Sequence, residues 1–197
     1  MPDYTFSHYH IILASKSPRR HHLLKELGIA FEVQTKDVEE SFPAHLKAQE
    51  IPLYLCRKKA DAFEGSLQDN SIVITADTVV WIEGQVLNKP VDASDAKRML
   101  RLLSGKCHEV FTGVCLKSKL KTHSFFSATK VYFKHLSEDE IDYYINNYRP
   151  YDKAGAYGAQ EWIGYIGVER IEGSYFNVMG LPVKELYEHL SIHFTTP

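Results

Sequence analysis

Several features that define common protein classes are scarce or missing in this chain. Only three cysteines occur in 197 residues, Cys56, Cys107 and Cys115, and none forms a Cys-x-x-Cys pair. That spacing offers neither a zinc site nor a disulfide framework and fits reduced thiols in a cytoplasmic protein. Basic excess is absent: 23 Lys and Arg stand against 25 Asp and Glu, a formal net charge of −2. Gripping many nucleic-acid phosphates calls for a basic surface, so no nucleic-acid partner is expected, whereas one small anion needs only a local basic cluster. No apolar run reaches the about 18 residues of a membrane span. Met1 to His10 lacks a basic stretch followed by an apolar one, so no signal peptide and no membrane partner are expected. The motifs Gly-x-x-x-x-Gly-Lys-Ser/Thr, Gly-x-Gly-x-x-Gly and Gly-x-Ser-x-Gly are missing, which argues against P-loop, dinucleotide-binding and α/β-hydrolase proteins. Ten histidines include no His-Glu-x-x-His motif and no tight metal spacing, and the neighbours His21 and His22 point to different faces of a helix.

What is present reads as an ordinary soluble globular protein, 44% hydrophobic and 24% charged, long enough for one good core. The most informative segment is Ser15-Lys16-Ser17-Pro18-Arg19-Arg20. It follows the apolar strand Ile11 to Ala14 and opens an amphipathic helix from Arg19 to Leu27, with Ser17 suited to the N-cap and Pro18 to the first turn. Two arginines beside free backbone N–H groups form a phosphate clamp on one reading and a capped surface helix on the other.

Further along, residues 31–35 alternate like a strand and a helix spans 52–63. Residues 72–76 form a continuous β-rich run, as in a strand buried on both faces. Residues 79–82 and 85–87 flank Glu83-Gly84 as a hairpin. A helix capped by Asp92 runs to about Leu103, long strands are expected at 108–116 and 124–133, and Ser137 with Glu140 makes a capping box for the next helix. The glycine- and tyrosine-rich stretch 149–161 has no period; a strand is expected at 164–168 and a final helix after Pro182. Helices and strands mix throughout, so the class is α/β. A single domain over 1–197 is the simplest organisation, with a smaller lobe around 95–148 as the variant.

Asp77 follows directly on the expected strand 72–76. In open α/β sheets ligands bind beyond the carboxyl ends of strands, where a carboxylate can hold magnesium or take a proton from water. Asp also starts tight turns well, and the two readings weigh about equally. Lys59, Lys89 and Lys153, taken with Arg19 and Arg20, would match a polyphosphate; singly, each lysine reads as a surface charge. Glu40 is either a second metal ligand or a loop charge.

Several segments then align, in order, with one family. They are Leu13 to Arg20, Lys59-Ala60, Ala76-Asp77-Thr78-Val79-Val80, Leu87-Asn88-Lys89-Pro90, Leu103 to Val114, Asp152 to Gln160 and Gly173 to Pro182. The chain resembles the Maf family of nucleoside triphosphate pyrophosphatases, also called septum-formation inhibitors. The resemblance implies a mixed, twisted β-sheet flanked by helices, shared with inosine-triphosphate pyrophosphatases, and often a homodimer. It implies cleavage of a nucleoside triphosphate between the α and β phosphorus atoms with a divalent cation, Mg2+ or Mn2+. Asp77 takes the position of the catalytic base and, with Glu40, of the metal ligands. Ser15, Arg19, Arg20, Lys59 and Lys89 fall at phosphate positions. The form Lys-Ala-Gly-Ala-Tyr-Gly-x-Gln resembles the branch that prefers dTTP and UTP, with Arg19, Thr78 and Gln160 at the selectivity positions. A glutamine amide can meet the N3–H donor and carbonyl acceptors of uracil and thymine. The alternatives are the same reaction on another nucleotide, such as 7-methyl-GTP, or a non-catalytic nucleotide-binding regulator of septum formation. Glu161 and Trp162 depart from the commoner Gly-Ile-Gln-Gly pattern and bear on the base pocket.

Overall fold

A computed structural model describes residues 6–194. Its centre is a mixed seven-stranded sheet in the order β2-β1-β3-β5-β6-β7, with β4 paired to β3. Strands β1 (His10–Leu13) and β2 (Glu32–Val33) run parallel to each other, and β1 runs parallel to the start of β3 (Ser71–Ile82). From β3 onward the neighbours β5 (Cys107–Lys117), β6 (Thr122–Phe133) and β7 (Val168–Glu172) are antiparallel. The hairpin into β4 (Gln85–Leu87) turns on Glu83 and Gly84, whose φ angles of 49° and 78° are those of the tight turn that matches strand twist.

Side chains alternate across the sheet, so the two faces bury different sets. One face of β3 and β5 carries Ile72, Ile74, Ala76, Val114 and Leu116 under helices α1 (Pro18–Glu26) and α7 (Val183–His193). Further along the same face, Val80, Ile82 and Val110 pack under α3 (Ala93–Leu103), α4 (Glu138–Tyr148) and α5 (Trp162–Gly167). Between these two cores the alternation places Thr78 and Thr112, which are paired in register, so a polar seam divides them. The other face is covered by α2 (Glu50–Asp61), which lies close because its Pro52 meets Gly113 and its Cys56 and Ala60 meet Cys115. The thiols of Cys56, Cys107 and Cys115 are free. No helix among the described residues is long and apolar enough to cross a membrane.

Three expectations change. The strand anticipated at 72–76 continues to Ile82, so Asp77 is neither beyond a strand end nor in a turn; its pairing with Gly113 on β5 holds a poor strand former within β3. The stretch 164–168 is helix α5 followed by β7, a short apolar run whose type periodicity alone does not settle. Strand β2 keeps two residues of the five expected. A short helix, α6 (Tyr175–Met179), capped by Ser174, lies in a stretch for which the sequence suggested no element. The N-caps Ser17 and Asp92 and the Ser137–Glu140 capping box are all formed.

The α3/α4/α5 core also encloses an imidazole. His108 is 1% exposed, its Nε2 pairs with the Tyr157 hydroxyl at 2.7 Å, and burial lowers its pKa to about 3. Between about pH 6.5 and 3 the unfolded chain therefore binds a proton that the folded chain does not. Stability should fall as pH drops through that window, by at most about 1.4 kcal/mol per pH unit from this group. Urea denaturation at stepped pH should show that slope in the wild type and a shallower one in His108→Phe; equal slopes would remove His108 as its source.

Candidate active site

The sheet itself creates the opening. Strand β1 stops at Leu13, and its last bond to β3 runs from Ala14 N to Ile74 O at 2.9 Å. The chain then turns away into α1, while β4 joins β3 only from Val80 onward. The edge of β3 from Ala76 to Val79 is thus left without a strand neighbour on that side, and a cavity of about 730 Å3 opens there. The cavity therefore lies past the carboxyl end of β1 and beside the middle of β3, not past the end of β3. Because Asp77 and Thr78 are consecutive in β3, they point to opposite faces, and the cavity wraps around the free edge to reach both. The nine residues that the resemblance assigns to the site all line it, namely Ser15, Arg19, Arg20, Glu40, Lys59, Asp77, Thr78, Lys89 and Gln160, and so does Lys153.

On the α2 side, Asp77 is 8% exposed. Lys59, in the last turn of α2, places Nζ 2.5 Å from Asp77 Oδ1 and 2.7 Å from Glu40 Oε1. Lys89, after β4, holds Glu40 Oε2 at 3.0 Å. Glu40 is therefore no free loop charge. Burial pushes its pKa up, but the hydrogen bonds and charges of Lys59 and then Lys89 outweigh this and hold it at about 2. The rest of the basic run of α2 turns away, Arg57 to Ser124 Oγ at 2.6 Å and Lys58 to the Ser41 carbonyl at 3.2 Å.

On the other side the two arginines divide. Arg19 stays at the rim and donates to Asp152 at 3.1 Å. Arg20 donates from Nε to the Gly180 carbonyl at 2.7 Å, from Nη1 to the Ala76 carbonyl at 2.8 Å and from Nη2 to Thr78 Oγ1 at 3.0 Å. Three of its five N–H groups are so engaged, and the guanidinium braces α1, the free edge of β3 and the turn after α6 while leaving two donors for a ligand. The Ala76 carbonyl is one that a longer β1 would have bonded. Burial lowers the pKa of Arg20, partly countered by the charge of Asp77. Thr78 Oγ1 continues the polar seam to Thr112 Oγ1 at 2.9 Å, which donates to the Asn177 carbonyl at 3.1 Å; the Asn177 amide donates to the Val110 carbonyl and to Thr129 Oγ1, both at 3.0 Å. Ser15 is 5% exposed, and its carbonyl accepts from His21 Nε2 at 2.6 Å, which gives His21 a role in shaping the loop.

Gln160 sits across the cavity beside Gly158. The motif that precedes it contains a buried ion pair that single-residue reasoning read as a surface lysine. Lys153 is 7% exposed, bound to Asp152 at 2.7 Å and to Glu161 at 3.0 Å. Glu161 also accepts from the Tyr144 hydroxyl on α4, which in turn accepts from Gly158 N at 3.1 Å. Burial and then Glu161 push the Tyr144 pKa up. Glu161 thus anchors the loop that carries Gln160. Trp162 packs on Tyr143, with ring centroids 4.7 Å apart. Tyr157 lies in the core, and Tyr175 is exposed.

Residues 10–193 match the family described as Maf-like protein. The chain is 54% identical over 185 residues to a dTTP/UTP pyrophosphatase of Porphyromonas gingivalis, covering 92% of this chain and 93% of that one. It is 56% identical over 183 residues to a dTTP/UTP pyrophosphatase of Phocaeicola vulgatus, with 92% and 95% covered. With one from Flavobacterium johnsoniae it shares 52% over 183 residues, with 93% and 94% covered. A solved nucleoside-triphosphatase / dITP/XTP pyrophosphatase from Mycobacterium abscessus aligns over 91% of this chain and 93% of its own at 15% identity, with a TM-score of 0.43. With a family match over nearly its whole length and relatives above half identity, the chain belongs to the Maf-like protein family.

Proposed function

We propose that this protein hydrolyses dTTP and UTP to the nucleoside monophosphate and pyrophosphate, keeping nucleotide pools clean in the cytoplasm. The observation that carries the reaction is the chain Glu40–Lys59–Asp77 at the free edge of β3, ringed by further cations. The names of the relatives supply the substrates. A triphosphate entering the cleft offers its oxygens to Arg19, Lys89 and Lys59 in place of the carboxylates these residues now hold. Asp77, fixed in a strand, takes the proton of a water as its oxygen bonds to the α-phosphorus. The bond from that phosphorus to the bridging oxygen breaks, and the electron pair leaves on pyrophosphate, whose charge the same cations stabilise. Glu40 and Asp77 are the hard oxygen donors that suit Mg2+ or Mn2+, and they already converge on one cation, Lys59 Nζ. A divalent ion held there supplies charge neutralisation and a more acidic water. Pyrophosphate release from a panel of nucleoside triphosphates with Mg2+ or Mn2+ tests the reading. Release from dTTP and UTP supports it, and turnover of purine nucleotides alone would overturn the substrate assignment.

Gln160 carries the base preference within this proposal. Its amide can pair with N3–H and a neighbouring carbonyl of uracil or thymine, and a base with the wrong edge leaves buried polar groups unpaired. Gln160→Ala should lower kcat/KM for dTTP and UTP by roughly tenfold, the worth of about 1.4 kcal/mol of hydrogen bonding. The ratio against CTP should fall with it. A loss that is equal for all bases would show that Gln160 only shapes the loop.

A further inference from the structure

Far from the cleft, three histidines that lie apart in sequence meet. His189 and His193 are one turn apart on α7 and share a face, and His123 reaches them from the start of β6. The expectation of no tight metal spacing among the histidines is corrected here, because His189 and His193 stand four apart on one helix with a third imidazole opposite. One ring nitrogen from each of the three lies within 4.8 Å of the other two. His123 Nε2 is 3.0 Å from His189 Nδ1, the His123 and His193 ring centroids are 3.8 Å apart, and the His189 and His193 rings are nearly parallel at 6°. Phe125 stacks on His189 at 4.0 Å and fixes that ring against the sheet. The three rings are half-buried, and none lines the cleft around Asp77.

We propose that His123, His189 and His193 form a binding site for a borderline transition-metal dication, zinc in the first instance, which staples the C-terminal helix to β6. Three imidazoles with an open fourth position form a recurrent zinc donor set. Zinc–nitrogen bonds of about 2.0–2.1 Å put tetrahedral nitrogens about 3.3 Å apart. One pair is already at 3.0 Å, and the other distances close by side-chain rotation of an ångström or so. The bond between His123 and His189 needs one of those two nitrogens to carry the proton. Ligation moves that proton to the far nitrogen of the same ring, and both lone pairs then face the metal. Burial, with the neighbouring imidazoles, lowers the pKa of both His123 and His189. The charged groups around them are Lys121, which works against a cation, and Glu185 and Glu188, which favour one. Hard oxygen-seeking ions such as Mg2+ have no reason to choose three imidazoles, so the site is distinct in chemistry from the carboxylate pair in the cleft.

The test uses the untagged full-length chain, stripped with a chelator and kept in excess Mg2+ so that the carboxylates of the cleft are not left for zinc. Equilibrium dialysis against zinc should show one equivalent bound by the wild type and by Asp77→Asn, and none at the same free zinc by His189→Ala or His193→Ala. Zinc should raise the melting temperature of the wild type only. Because His193 is at the end of α7, its alanine variant should keep the metal-free melting temperature of the parent. As a check that needs no variant, 1H–15N spectra of the histidine rings should shift with zinc for these three residues. Zinc uptake unchanged in the histidine variants, or ring signals unmoved by zinc, would overturn the proposal.

Discussion

Replacing Asp77 with Asn should leave a folded protein that turns over dTTP at least about 100-fold more slowly, the usual scale for loss of a general base. The expectation rests on placement. Asp77 lies within β3, paired in register with Gly113, so its backbone is held by the sheet whatever the side chain does. Asn keeps the volume of Asp and can still accept from Lys59, but it cannot take up the proton of the attacking water. Lys59 keeps its bond of 2.7 Å to Glu40, so no lone buried ammonium is created and the melting temperature should move little. Binding of a non-hydrolysable dTTP analogue should survive in weakened form. Pyrophosphate release, melting temperature and analogue affinity together separate a lost base from a lost fold. Turnover within a few-fold of the wild type would remove Asp77 from the base position. Retained binding with no turnover in the wild type itself would favour the reading as a nucleotide-binding regulator.

Much of this architecture was readable from local chemistry. Ser17, Asp92 and the Ser137–Glu140 box mark helix starts by satisfying free N–H groups, and the structure uses all three as caps. The hairpin at Glu83-Gly84 was equally legible, because a two-residue turn of that hand needs positive φ. The reading failed where tertiary pairing overrides local preference. Asp77 reads as a breaker but is held within β3 by β5, and Gly164 sits in a helix. The residues of the site were nameable one by one, since lysine, arginine and carboxylate types carry the chemistry. Their division of labour was not. That Arg20 spends three donors on Gly180, Ala76 and Thr78 while Arg19 stays at the rim depends on where β1 stops. That Lys153 is buried depends on Glu161, eight positions away on the far side of an aperiodic loop. Such partners come from the folded chain, and a linear pattern does not display them.

The close seat of α2 on the sheet leads to the largest expected effect on stability. A Cβ at Gly113 would lie 2.5 Å from both the carbonyl carbon and oxygen of Pro52 and 2.7 Å from Leu53 N. These are backbone atoms of α2 and cannot rotate away, so the whole helix has to move. Gly113 pairs with Asp77 on the same face of the sheet, and Thr75 Oγ1, two residues back, donates to the Cys56 carbonyl at 2.6 Å. Displacing α2 therefore strains that bond, loosens the Cys56–Ala60–Cys115 contact and withdraws Lys59 from Asp77. Gly113→Ala should cost about 3 kcal/mol, the upper end for overpacking, and lower the melting temperature by roughly 6–12 °C for a chain of this size. Gly65→Ala is the control of opposite kind. Its φ of +75° disfavours alanine, but nothing lies within 4 Å of the new Cβ, so the cost should be about 1 kcal/mol of backbone preference with turnover intact. Turnover by Gly113→Ala, measured well below its own melting temperature, should fall several-fold more than the folded fraction does, because the defect is transmitted along α2 to Lys59. Equal melting temperatures for the two variants would mean that α2 yields without cost. Full activity in Gly113→Ala would mean that the distance from Lys59 to Asp77 is not what the close packing maintains.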